Sequence, residues 1–349
     1  MPQSLSDRPA RAVHNGRAIA RNAVIAILLI LAGAHCTLSI FYDNESWLNL
    51  AKYAAGNERN PYQERVAMIP ILRFGENSKT VQRMAIWFGR RIGRMWPMEP
   101  VSPEKLISLF AALLSVLGAL AVCSLYGWKL APRFWWLPPA LALAILYASF
   151  AARYEHALWF PYDLPHVFAF GAACACILTG QIYLFLIFFI LDLPIRETSI
   201  YLIPLSFAFS VRRLRFKSVV GLSAGMLIAW LAVRIPIVHL YHGNQTELGS
   251  RVSRNLYTLL SPIDWPTLAS TVGFLLIPVW LGRKYLSGTA KVFLWLTLPC
   301  LLITAYFGVL IETRIAVEWT IPFALLAATE AVRAFGMKEL CLAEIVSNA

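Results

Sequence analysis

One feature narrows the folds open to this chain: continuous apolar runs recur, several of them near the roughly 20 residues that cross the hydrocarbon core of a bilayer as a helix. The first, NAVIAILLILAGAHCTLSI, leads straight into FYDNESW at residues 41 to 47. Lipid gives a bare backbone no hydrogen-bonding partner, so such runs fold as helices that satisfy their own amides. A closed barrel would need short segments of alternating polarity, and these runs do not alternate. Charged residues make up only 14% of the 349-residue chain and hydrophobic ones 58%. A soluble domain carries charge on about a quarter of its residues. The mean hydropathy is +0.61. The expected fold class is therefore all-α, a polytopic membrane helical bundle of about ten transmembrane helices.

The expected spans lie near 23–41, 106–127, 134–151, 165–178, 181–193, 198–211, 218–240, 266–282, 291–311 and 316–334. The fourth to sixth are short for a crossing, and Pro194 and Pro204 mark places to kink or tilt. Residues 1–22 read as a basic cytoplasmic N-terminus, 23–334 as a single transmembrane domain, and 335–349 as a cytoplasmic tail. No small-residue cleavage site follows the first run, so it reads as a retained signal anchor. Basic residues set the orientation. Arg8 to Arg21, Lys129, Arg133, the run Arg212 to Lys217, Arg283, Lys284 and Lys291 then fall on the cytoplasmic side, with both termini. This topology accounts for much of the net charge of +12, so the charge is not a nucleic-acid signal. The localisation it implies is a plasma membrane, most simply a bacterial inner membrane, with membrane lipids as the surrounding partners.

The long first outer loop, 43–105, is more than a linker. Over 80–96 it mixes Val81, Met84, Ile86, Trp87 and Phe88 with Arg83, Arg90, Arg91 and Arg94. A helix there is amphipathic and basic, suited to lie in the plane of the outer interface. The six cysteines form no metal-ligand set and read as small packing residues. Among the histidines only His239 and His242 combine a helical spacing with a carboxylate set, and no metal site is assigned to them.

On this topology the acids gather outside. Asp43 and Glu45 end the first span; Asp163, Asp192, Glu197, Glu247, Glu312 and Glu318 occupy later outer turns. Singly, each reads as a helix cap or a local ion pair. Capping, however, predicts no sidedness. Charges beside apolar runs are costly unless paired or facing a wet cavity. Arginines on the same side, among them Arg65, Arg196, Arg254 and Arg314, have the geometry to hold a phosphate bidentately.

An acid directly after the first span, followed by a long loop carrying in-plane helices, resembles the GT-C superfamily of multi-pass glycosyltransferases. Asp43-Asn44-Glu45 stands where that family places its acidic motif, and Asn44 separates acids that many members have adjacent. WLNLAKYAAG, PYQERVAMIPIL and TVQRMAIWFGRRIGRMW stand where members carry the loop helices. The resemblance implies transfer of a sugar from a polyprenyl-phosphate carrier on the outer face. It implies Asp43 as catalytic base with Glu45 assisting. Arg65, Arg196, Glu197, Arg254, Glu312 and Arg314 would then bind substrate, and a divalent cation at the carboxylates is an optional part of that chemistry. Two other classes stay open from the residues alone: a transporter or flippase, and a membrane scaffold without catalysis.

Overall fold

The computed structural model describes residues 7–42, 46–92, 101–151, 159–211, 213–247, 249–310 and 312–334. Among these, most residues are helical and no strand forms. The helices are α1 (Asp7–Tyr42), α2 (Leu50–Ala55), α3 (Ile69–Asn77), α4 (Lys79–Ile92), α5 (Pro103–Leu130), α6 (Leu137–Leu146), α7 (Asp163–Leu178), α8 (Ile182–Asp192), α9 (Leu202–Ser210), α10 (Phe216–Tyr241), α11 (Val252–Leu260), α12 (Trp265–Ser270), α13 (Leu276–Gly282), α14 (Gly288–Phe307) and α15 (Thr320–Ala334).

Four of them are long and apolar enough to cross a membrane: α5, α10, α14 and the part of α1 from Ala18 to Phe41. About ten helices of that kind were expected, and the rest are shorter for local reasons. α6 passes into a π-helical turn over Tyr147–Ala151. Pro194 follows the end of α8, where a proline ring cannot continue the helix. The expected continuous span 266–282 is broken instead. Val272, Gly273 and Phe274 all take positive φ, separating α12 from α13.

α7 is the hub. It packs on α5, α8, α9 and α15, and almost every residue of it is buried. Its run Gly171-Ala172-Ala173-Cys174-Ala175-Cys176 lets neighbours approach closely, as small residues do between membrane helices. Gly171 sits against Ile321 of α15, where an added Cβ would lie 2.3 Å from a side-chain carbon. α10 is the opposite case. Only Val219, Met226 and Arg234 of its 26 residues are buried, so its apolar surface faces outward.

The chain shuttles between two ends of this bundle. At one end Arg213 donates to the carbonyls of Ile177 (2.8 Å) and Leu178 (3.0 Å), capping the last turn of α7. There too, Glu330 of α15 accepts from Ser287 at the start of α14 and from Arg333. At the other end lie the start of α7, the turn between α8 and α9, the end of α10 and the loop between α2 and α3. That loop is stitched to the end of α10: Asn60 Nδ2 donates to the Tyr241 carbonyl (2.7 Å), and Asn244 Nδ2 donates to the Glu58 carbonyl (2.7 Å).

Gly171→Ala is expected to destabilise the bundle by about 1–3 kcal/mol, because the Ile321 side chain has to move. Melting in detergent measures this; an unchanged midpoint would mean that α7 and α15 are not in such close contact.

A buried ionic centre at one end of the bundle

The α8–α9 turn explains how sequence builds the centre. α8 ends at Asp192, Pro194 prevents its continuation, and Arg196 takes an extended conformation at φ −153°, ψ 146°. Successive side chains of an extended segment point to opposite sides. Arg196 accordingly reaches Glu318, with Nη1 at 3.3 Å from Oε2, while Glu197 turns toward Arg65 and Arg234. Beyond Glu197 a 3-10 turn runs to Tyr201 and leads into α9.

Arg65 is the most elaborately held group. Its Nε and Nη2 donate to the two carboxylate oxygens of Glu197, at 3.0 and 2.5 Å, the fork-on-fork geometry that guanidinium favours. Its Nη1 donates to the Tyr162 hydroxyl at 2.9 Å, and its guanidinium carbon lies 4.8 Å from the centre of the Tyr162 ring. The Tyr53 hydroxyl donates to the Arg65 carbonyl. Two residues on, the Ala67 amide donates to the Pro194 carbonyl at 3.1 Å, tying the loop to the α8–α9 turn.

Arg234 brings the span α10 into the same centre. It donates to the Glu64 carbonyl (2.9 Å) and to the Glu64 carboxylate (3.2 Å), and lies 3.9 Å from Glu197. Trp230, one turn earlier, donates to the Glu197 carbonyl at 3.3 Å. Deeper in, His166 of α7 is fully buried between Asp192 (Nδ1 to Oδ1, 2.7 Å) and Thr198 (Nε2 to Oγ1, 2.9 Å). This fixes the ring in one orientation. One oxygen of Asp192, one oxygen of Glu318 and the Nε of Arg196 are buried with no protein partner. Such atoms cost about 1–3 kcal/mol each if left dry.

Electrostatics separates the two outer carboxyls. Burial pushes Glu197 upward, but Arg65, through charge and hydrogen bonds, and then Arg196 and Arg234, hold it well below the ordinary carboxylate range. Glu197 is the resident anion among three arginines. Its side chain is still 35% exposed, so water screens the outer edge of the cluster. Glu64 shifts the other way: burial raises it, Arg234 opposes the rise, and the neighbouring charge of Glu197 adds to it.

Of the residues singled out in the sequence, Arg65, Arg196 and Glu197 meet here. Arg254 does not; it is exposed on α11. Glu312 is half-buried just ahead of the 3-10 segment Thr313–Trp319, which carries Arg314 and Glu318. The Arg314 side chain, like Asp43 and Glu45, lies outside the described residues. The residues flanking the acidic motif are described. Phe41 packs on Trp159 with ring centres 4.1 Å apart, and Ser46 forms an isolated bridge with the same residue. Trp159 leads in three residues to Tyr162, the partner of Arg65. Glu64 was missed in the sequence, and Arg234, His166 and Asp192 were not assigned to the site. An arginine inside a long apolar helix was the available signal for Arg234.

Among the described residues no three histidines, cysteines or acids stand together as a metal-ligand set. Compared with known proteins, the chain matches no family model, no curated protein and no solved structure.

Two outcomes follow. Arg234→Met is expected to cost about 3 kcal/mol, because Glu64 and Glu197 lose a shared cation in a largely dry region. Unfolding in detergent checks this; wild-type stability in the variant would mean that water already solvates both carboxylates. The second concerns pH. The Glu197 pKa is lowered on folding, so its stabilisation is complete above the ordinary value of 4.5 and is lost as pH falls below it. Glu197→Gln should therefore flatten the acid-side loss of stability; the same slope in variant and wild type would remove Glu197 as its source.

Proposed function

We propose that the protein is a polytopic membrane protein that transfers a sugar from a lipid-phosphate carrier at the outer face of a bacterial inner membrane. In this reading about ten segments cross the bilayer: α1, α5 to α10, the broken pair α12–α13, α14 and α15. The short members rely on tilt and on flanking turns for the remaining thickness. Both termini are cytoplasmic, and the ionic centre faces outward.

The observation that carries the reading is the gathering of Arg65, Arg196 and Arg234 around one partly exposed carboxylate, Glu197, at a single end of the bundle. Each arginine of this cage already holds a carboxylate, Glu197, Glu318 or Glu64, so a phosphate binds here by competing for a guanidinium, and it carries more charge and more acceptor oxygens than the partly exposed Glu197 does. In the transfer step an acceptor hydroxyl oxygen forms a bond to the sugar's anomeric carbon. The bond from that carbon to the carrier's phosphate oxygen breaks, and its electron pair stays on the phosphate. The arginine cage stabilises the charge that develops there. The acceptor proton goes to a carboxylate base, the role proposed for Asp43 with Glu45 beside it. Phe41 and Ser46, which flank that motif, both rest on Trp159, three residues before the Arg65 partner Tyr162. This supports the pairing of motif and cage in one site.

One observation favours a second reading, a flippase for a lipid-linked or polar substrate. The helix break at Val272–Phe274 is of the kind that transporters use near a substrate path.

Asp43→Asn is expected to lower transfer of labelled hexose from a polyprenyl-phosphate donor by at least about 100-fold, the usual scale for losing a general base. Expression and topology should be unchanged. Full activity in the variant would remove Asp43 from the reaction. Movement of the labelled lipid across vesicles without any covalent product would replace the transferase reading with the flippase one.

A further inference from the structure

The amphipathic helix α4 carries four basic residues, Lys79, Arg83, Arg90 and Arg91, and no acidic one. It attaches to the bundle through a narrow strip. Ala85 is 2% exposed, Val81, Phe88 and Gly89 are half-buried, and the helix packs on α5. The rest of its surface is open. All four cations are exposed, and between them stand Met84 at 46%, Ile86 at 56% and Trp87 at 64% exposure. Helix α3, just before it, similarly exposes Phe74 at 66% while burying Leu72 and Gly75 against the bundle. Both helices sit near the start of α5: Gly75 lies against Ile107, and Gly89 lies beside Val101. An apolar helix 28 residues long begins there, and in the membrane reading this puts α4 at the level where hydrocarbon gives way to headgroups.

An exposed tryptophan and long apolar side chains interleaved with unopposed arginines match one surface: an anionic bilayer interface. Apolar side chains enter the acyl boundary while the guanidiniums remain among phosphates. An acidic soluble protein would satisfy the cations and leave Met84, Ile86 and Trp87 with less to bury them. We propose that α4 is an in-plane binding site for anionic phospholipid headgroups, with Arg83, Arg90 and Arg91 as the phosphate contacts and Trp87 as the interfacial anchor. The site lies on the same end of the bundle as the ionic centre, so bound lipid would border the proposed reaction site. The proposal rests on the membrane reading but not on sugar transfer.

The test uses the full-length protein in an uncharged detergent, mixed with equal amounts of phosphatidylglycerol and phosphatidylcholine. Native mass spectrometry reads the lipid retained. Wild type should prefer phosphatidylglycerol, and the preference should fall by about fivefold for each arginine removed in Arg83→Gln, Arg90→Gln and Arg91→Gln. It should also weaken in about 0.5 M salt. Arg283→Gln with Lys284→Gln, exposed at the opposite end, should leave it unchanged. These are surface substitutions, and Arg83→Lys, Arg90→Lys and Arg91→Lys together should restore most of the preference if folding is in doubt. Retention of the preference in the triple glutamine variant, its loss in the opposite-end variant, or no preference in wild type would each overturn the proposal. Sugar transfer can fail or succeed independently of this readout.

Discussion

The Arg65–Glu197 pair is the contact on which the organisation of this bundle's end depends. Arg65 comes from a loop outside the spans, and Glu197 from the turn between two short apolar helices. Other hydrogen bonds anchor each segment separately, the loop to the end of α10 and the turn to α7, and the Ala67–Pro194 bond is a further link between the two. The bidentate bond brings the loop down onto the turn, and Arg234 then locks a long span to both. A guanidinium without its carboxylate here would carry a desolvation cost that no apolar contact offsets. The pair therefore sets position more than it adds net stability. Behind it, the His166–Asp192–Thr198 line holds α7, α8 and the start of the 3-10 turn in one relative placement.

The bundle's interior obeys a different constraint. α7 is so thoroughly enclosed that its small residues decide how near α5, α8 and α15 can come. α10 has the reverse character, apolar nearly all round and buried at only three positions. A helix of that kind in water would expose a large apolar face. In a bilayer the same face is solvated by lipid. The contrast between α7 and α10 thus fits one environment better than the other, and Arg234 stands among the few buried positions of an otherwise outward-facing helix.

How much of this was legible in the sequence follows from the range of each interaction. Helical content, four long apolar helices and an amphipathic helix over Lys79–Ile92 are local properties that read from periodicity and run length, whereas about ten long spans were expected. The grouping of Arg65, Arg196 and Glu197 was legible only through sidedness: alternating spans bring alternate loops to one end. Which arginine meets which acid was not legible. Arg65 and Glu197 are 132 residues apart, and Arg234 and Glu64 are 170 apart. No local pattern encodes such a partner. Glu64 escaped notice for that reason, since PYQERV reads as a loop until Arg234 lies opposite it. The break inside 266–282 was missed because Val272 and Phe274 are residues that ordinarily avoid positive φ. Hydropathy alone ran the span straight through them.

The central claim is that one ionic contact between distant segments organises this end of the molecule. It is tested most directly by a double-mutant cycle on Arg65→Met and Glu197→Gln, with unfolding in detergent as the readout. Each single variant leaves a charge facing a lost partner, and the double variant removes both. Coupling of about 1 kcal/mol is expected, a value that allows for water at the exposed edge of Glu197. The double variant should then be less destabilised than the sum of the two. Strict additivity would contradict the claim, because it would mean that Arg65 and Glu197 act on stability without meeting.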